Sequence, residues 1–248
     1  MTTMRAKLFT IWLAAITAVL AIVVTREPRV AQGAPTTSPP GKVTFDELDV
    51  HRLNVLEPDG KPRLILASRA RWPGAIARGV EYLHPGRNVG GGLLFFNDDG
   101  TEAGGLAYRS EGTDNHAIFT MDQYEQNELL DLFYGEWHGH KRSAGLMVYD
   151  DRPDKSVVPL VQAYTEMTRA TTAETRQQAK QRFDQGVKDS IDRERTRVFV
   201  GKEGDDAQLV LGDKQGKPRI VLKVDGNGEP TIELLDATGA VKKRITAL

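Results

Sequence analysis

The chain of 248 residues has no cysteine. That absence excludes a disulfide framework, thiol catalysis, an iron–sulfur cluster and a cysteine-rich zinc site, as well as a lipid-modified cysteine after a signal sequence. An excess of either charge is missing too, with Lys+Arg 33 against Asp+Glu 34. A balanced surface carries no basic stripe of the kind nucleic acid requires, so no nucleic-acid partner is expected. A P-loop, a nucleophile elbow and an H-E-x-x-H pair are all lacking, and no cofactor is expected. Mean hydropathy is −0.40, polar for a chain that nevertheless contains one long apolar run.

That run, residues 8–24, contains no charge and no proline. As a helix it spans about 26 Å at roughly 1.5 Å per residue, the short end of what a hydrocarbon core requires. Arg5 and Lys7 precede it with no acid nearby, and Arg26, Glu27 and Arg29 follow it. The positive-inside bias favours a cytoplasmic N-terminus. The expectation is a single-pass signal-anchor in the bacterial inner membrane, whose partner is the lipid bilayer, with residues 1–7 as a cytoplasmic tail. A cleaved signal peptide is the rival reading, with Ala31 and Gly33 before Ala34 as a small-x-small site. It places that site beyond three charged residues and needs an apolar run longer than signals usually have. Residues 25–42, with Pro28, Pro35, Pro39 and Pro40, read as an extended linker.

Beyond the linker the sequence repeats itself. Residues 60–66, GKPRLIL, recur as 216–222, GKPRIVL, and a looser copy occupies 228–234. Gly60, Gly100, Gly216, Gly228 and Gly239 each follow a polar residue by three positions: Glu57, Asn97, Asp213, Asp225 and Asp236. This is turn chemistry, in which the polar side chain caps the turn and glycine supplies a positive φ. Pro62, Pro218 and Pro230 stand where an outgoing strand would begin, a place that tolerates a missing N–H. Around the turns, Leu209, Leu211, Ile220, Leu222, Val224, Ile232 and Leu234 alternate with period two, which predicts that they face a common core. Turns at 216, 228 and 239, about 11–12 residues apart, suit an antiparallel meander.

Further strands are expected at 53–56, 93–96, 105–108, 144–149 and 197–200, for roughly ten to twelve strands in all. Residues 121–133 suit a short helix almost as well as an edge strand. Residues 159–195, rich in Gln, Glu, Ala, Lys and Arg, predict a helical insert. Thr171 and Glu174 form a capping box at its start, and Gly186 is a terminator. The insert separates a β-rich block at 43–158 from a C-terminal meander at 196–248. The expected fold is therefore mainly β, antiparallel meanders in a sandwich or barrel-like arrangement with a helical insert, preceded by one transmembrane helix. The succession FDELDV at 45–50, EPDGKPR at 57–63, LFFNDDG at 94–100, DQYEQ at 122–126 and RVFVG at 197–201 resembles a family of bacterial envelope proteins with an N-terminal anchor. The resemblance covers most of the chain beyond residue 43. It implies an envelope location and brings no activity or site residues with it.

Candidate chemistry is sparse. His138 and His140, two apart on a strand, would project to one side and could share a metal with His116 or Glu136 as a third ligand. A metal-dependent enzyme or hydrolase built on them is the alternative to a non-enzymatic role, and a polar loop is the plainer reading of the same residues. Asp150, Asp151 and Asp154 cluster as a calcium loop would, without its full spacing, and fit a solvated turn. Asp225 to Gly228 reads as a hairpin turn. Gly90, Gly91 and Gly92 lead into a strand rather than a helix, so they do not form a phosphate cradle. Ser110 and Ser143 have no visible catalytic partners. Trp72 and Tyr82 could form a binding face for a glycan or an envelope protein, or could plug the end of the β structure. The expected function is a non-enzymatic binding or structural role in the envelope.

Overall fold

Tight turns organise the chain. In the computed structural model, which describes residues 41, 43–87, 90–138, 141–150, 156–191 and 195–246, five turns share one geometry. Gly60, Gly100, Gly216, Gly228 and Gly239 lie at φ between 76° and 87°. Each donates its N–H to the carbonyl three residues back at 2.8–3.0 Å. In the last three turns Asp213, Asp225 and Asp236 cap as expected, Oδ1 accepting two backbone N–H groups each at 2.9–3.1 Å. In the first two, the cap comes from Asp59 and Asp99. Glu57, one methylene longer than an aspartate, reaches Arg63 instead. Residues 1–40 and Lys42, with the expected tail and anchor and all of the linker except Gly41, lie outside the described residues.

The residues up to Leu48 and those from Asp49 to Leu248 form separate units. Of the first, Gly41 and residues 43–48 are described and contain no helix or strand. The second is mainly β. Its strands are β1 (Arg52–Leu56), β2 (Pro62–Ala67), β3 (Ala75–Ala77), β4 (Val80–Tyr82), β5 (Gly91–Phe96), β6 (Glu102–Glu111), β7 (Asp114–Asp122), β8 (Glu128–Trp137) and β9 (Lys141–Tyr149). After the helices α1 (Val158–Arg169) and α2 (Ala173–Ile191) come β10 (Thr196–Glu203), β11 (Asp206–Gly212), β12 (Pro218–Val224), β13 (Pro230–Leu235) and β14 (Val241–Thr246). Pro62, Pro218 and Pro230 each open a strand, as their spacing predicts.

Twelve strands make one antiparallel sheet in the order β1-β2-β5-β6-β7-β8-β9-β10-β11-β12-β13-β14, and β3 and β4 form a separate two-stranded ribbon. Among the described residues β1 and β14 do not pair, so the barrel-like alternative does not extend to a closed barrel. A sandwich needs a second extended sheet, and the ribbon is too short to be one. The blocks before and after the insert join directly, β9 to β10. Residues 121–133 are neither helix nor edge strand. They are the end of β7, a turn and most of β8, both interior strands. The insert is two helices rather than one. Thr172 caps the second, its hydroxyl accepting from the Thr175 N–H at 3.2 Å, one residue later than the expected capping box. Gly186 does not end that helix. It lies against Leu160 of α1, and packing between the two helices outweighs the roughly 1 kcal/mol that glycine costs inside a helix.

The alternation predicts the sheet's faces correctly but not which one is covered. Following register from strand to strand, Leu53, Leu66, Leu93, Leu106, Phe119 and Leu132 continue into Leu146, Val200, Leu209, Leu222, Ile232 and Ile245. One apolar row thus crosses all twelve strands on a single face. That face is open: Leu66 is 47% exposed, Leu132 55% and Ile245 49%. The seven alternating positions of the C-terminal meander share this face, as expected, but form no core among the described residues: Leu222, Val224, Ile232 and Leu234 are exposed, and Leu209, Leu211 and Ile220 are half-buried. The buried cluster is on the other face. There Ile65, Ala67, Leu94 and Phe96 pack with Ile76 of the ribbon and with Trp72.

Candidate ligand-binding cavity

The covered face carries a half-open cavity of about 720 Å³ beside that core. Strand alternation supplies its floor, with Asp122 of β7, Asp131 and Phe133 of β8, and Met147 and Tyr149 of β9 lining it. Over it lie Trp72, Ile76, Arg87 and, from α1, Val161. The helix is held at its start and along its length. The Leu83 N–H donates to Thr165 Oγ1 at 2.8 Å, and the Val157 N–H donates to the Glu125 carbonyl at 2.8 Å. At the rim, Arg78 and Glu125 form an ion pair at 2.6 Å and both have positive φ, 51° and 55°. Non-glycine residues held in that region carry backbone strain that surrounding contacts must support. Here the Arg78 N–H donates to the buried Thr101 hydroxyl at 3.0 Å.

Carboxylates dominate the cavity's polar lining. Glu102 is ion-paired with Arg87, yet Glu102 Oε2 and Arg87 Nη1 are buried without a hydrogen-bond partner among the described residues. Burial pushes the Glu102 carboxyl up from its ordinary range, against the pull of Arg87. Asp122 Oδ1 is likewise buried and without a partner among the described residues. Desolvation, followed by repulsion from Glu102 and Glu128, raises the Asp122 carboxyl to about 7. Asp131 is buried, with the Tyr149 hydroxyl donating to its Oδ2 at 3.0 Å. An apolar and aromatic hollow with a few convergent, strongly shifted polar groups has the usual form of a small-molecule site.

The residues singled out from sequence are dispersed. Trp72 is half-buried, packs on the core and lines the cavity. Tyr82 ends β4 opposite Ala75 and does not line it. His138 stands in the turn after β8 rather than on a strand, at φ 53°, its backbone N–H donating to Asp114 Oδ1 at 2.7 Å. His140 lies outside the described residues. His116 meets the Trp137 ring edge-on at 5.0 Å between centroids. Glu136 lies on the opposite face of the sheet from His116, accepting from the Tyr134 hydroxyl at 2.7 Å and from Arg142 Nε at 3.0 Å. Among the described residues no group of three or more His, Asp or Glu is placed to hold a metal. Asp150 is ion-paired with Arg197 at 2.6 Å, and Asp151–Asp154 lie outside the described residues.

Sequence reasoning missed Glu102, Asp122, Glu128, Asp131 and Arg87. The one usable signal was acid at positions of β7 and β8 that share a face with Ile118 and Phe133. A polar residue in an alternating strand ordinarily marks the solvent side, and nothing local says that a ribbon and a helix cover that side.

The fold and the cavity define a class: an antiparallel single-sheet protein with a polar-lined cavity roofed by a ribbon and by the first helix of a helical hairpin. No protein-family model matches the chain, and no curated protein matches it either. Among the described residues no helix is long and apolar enough to cross a membrane.

Proposed function

We propose that this is a single-pass, membrane-anchored bacterial envelope protein whose extracytoplasmic β domain binds a small organic cation in the cavity and performs no chemistry on it. One observation carries the ligand class. Glu102, Asp122 and Glu128 line one hollow in which Arg87 is ion-paired with Glu102, and desolvation, followed by repulsion from Glu102 and Glu128, raises the Asp122 carboxyl to about 7. A ligand with a positive head would relieve that repulsion, while Trp72, Phe133 and Tyr149 would cover an apolar body. The location rests on the apolar run at 8–24, its preceding basic residues and the family resemblance.

The test compares an alkyl trimethylammonium with an alkyl carboxylate of equal chain length, read by tryptophan fluorescence and by the shift in melting temperature. The cation is expected to bind more tightly. Its affinity should rise as pH increases toward about 7, because binding the cation favours the deprotonated Asp122. Asp122→Asn should remove that pH dependence. Equal or tighter binding of the carboxylate sinks the reading. For the location, protease added to intact spheroplasts is expected to remove a C-terminal tag, and a tag protected until the inner membrane is lysed reverses the orientation.

A second reading follows from the same carboxyl. A group that titrates near neutrality is suited to general acid–base catalysis, so an enzyme using Asp122 is the competitor. Turnover of a bound cationic ester, lost in Asp122→Asn while binding persists, would favour it.

A further inference from the structure

We infer that the open apolar face of the twelve-stranded sheet is the interface on which a second copy of this chain docks. The central row is aliphatic or aromatic on every strand, from Leu53 to Ile245. A parallel row runs through Val55, Leu64 and Phe95, is interrupted by Gly104, resumes through Met121, Leu130, Val148, Val198, Leu211, Ile220 and Leu234, and ends at Lys243. Toward the tips of the β6–β7 and β8–β9 hairpins the face turns polar, with Tyr108, Asn115, Glu136 and Arg142. An apolar centre with a polar margin is how protein interfaces are built.

The size fits a pair of copies. Strands about 4.8 Å apart carry the rows across roughly 50 Å, and two rows, each taking about 6.6 Å of strand, add about 13 Å of height. That is roughly 600–700 Å² per copy, close to the ~800 Å² per partner of a standard stable interface. It also exceeds the largest apolar patch of most monomers, about 300–600 Å². Twist is no obstacle, since two sheets of the same hand stack at about −30°.

Other occupants fit less well. An open sheet cannot sink into a bilayer, because its edge N–H and C=O groups would lose their partners there. Pairing edge to edge is opposed by β14, where Lys242, Lys243 and Arg244 are all exposed. An apolar face has no directional bonds to satisfy, so it can meet a copy of itself across a twofold axis.

The test uses the full chain in mild detergent, with mass determined by analytical ultracentrifugation. A dimer is expected. Leu132→Arg and Leu222→Arg, both at exposed positions, should each weaken it by about a hundredfold or more, with circular dichroism and melting temperature of the monomer unchanged. Because the chain lacks cysteine, single replacements along the row (Leu106→Cys, Leu132→Cys, Leu222→Cys) report the contact directly. At least one should cross-link in cells, and Glu233→Cys, on the other face, should not. A monomeric wild type overturns the inference and leaves the face to lipid, to another protein or to the chain's own N-terminal residues. A dimer that both arginine variants leave intact overturns it as well.

Discussion

Asp122 is held in a state that ordinary solvent would not give it. Its carboxyl sits near 7 because burial strips it of much of its hydration and Glu102 and Glu128 are close. In the unfolded chain it returns to its usual range near 4. The fold therefore binds the extra proton, and this residue's contribution is fully present below about pH 4 and lost as pH rises through about 7. Burial lowers the His84 imidazole to about 4, which opposes this trend between about pH 4 and about pH 6.5. The comparison is therefore between proteins: from about pH 5 to about pH 8 the wild-type melting temperature should fall by several degrees relative to that of Asp122→Asn. An unchanged slope in the variant would mean that Asp122 is ionised and solvated in the fold. The cap carboxylates Asp213 and Asp225 behave oppositely. Backbone N–H groups hold both carboxyls below their ordinary range, so their contribution is lost only as pH falls into the acid range, clear of this window. Local sequence distinguishes the two kinds of aspartate only in part. D-x-x-G announces a cap by its spacing, whereas Asp122 ends a strand like many solvated residues, and its environment comes from elements distant in the chain.

The turns show how far an element can be read before folding. Gly60, Gly216 and Gly228 were legible with their φ sign because no other residue type meets that conformation without cost. The prolines were legible because a missing N–H confines them to strand starts. Gly216→Val should cost roughly 1–3 kcal/mol from backbone strain. It should exceed Gly60→Val, because a Cβ at 216 would stand 3.0 Å from Arg195 Cα while at 60 it meets nothing within 4 Å. Lys217→Ala, on an exposed side chain of the same turn, should cost under about 0.5 kcal/mol. Denaturant unfolding of the three variants decides the matter, and equal midpoints for Gly216→Val and wild type would remove the turn from the account. Gly186 shows the limit of the same logic. Glycine is a stop signal only where nothing else fills its space, and the fit of Leu160 against it is a tertiary fact.

At the scale of the molecule, pairing is sequential and unclosed. Every strand of the large sheet pairs only with sheet neighbours that adjoin it along the chain, apart from the bridges that pass the ribbon and the helical hairpin. Alternation and turn spacing made that order legible. They could not decide closure, which depends on whether β1 meets β14, or which face is roofed, because a two-stranded ribbon and two helices set that from outside the sheet. The consequence is a gradient of local stability. β1 and β14 each have one neighbouring strand, and all six residues of β14 are exposed. β7, β8 and β9 have strands on both sides, and β8 and β9 form the cavity floor under α1. Opening β14 breaks one ladder and exposes little new apolar surface on the covered face, whereas opening β8 breaks two and uncovers the cavity. Amide hydrogen exchange in the native state should therefore be fastest in β14 and β1 and slowest in β7 to β9. The C-terminal meander should lose protection strand by strand toward its end rather than all at once. Uniform protection from β1 to β14 would show that the two edges are covered by something, and the open-sheet description would then have to yield.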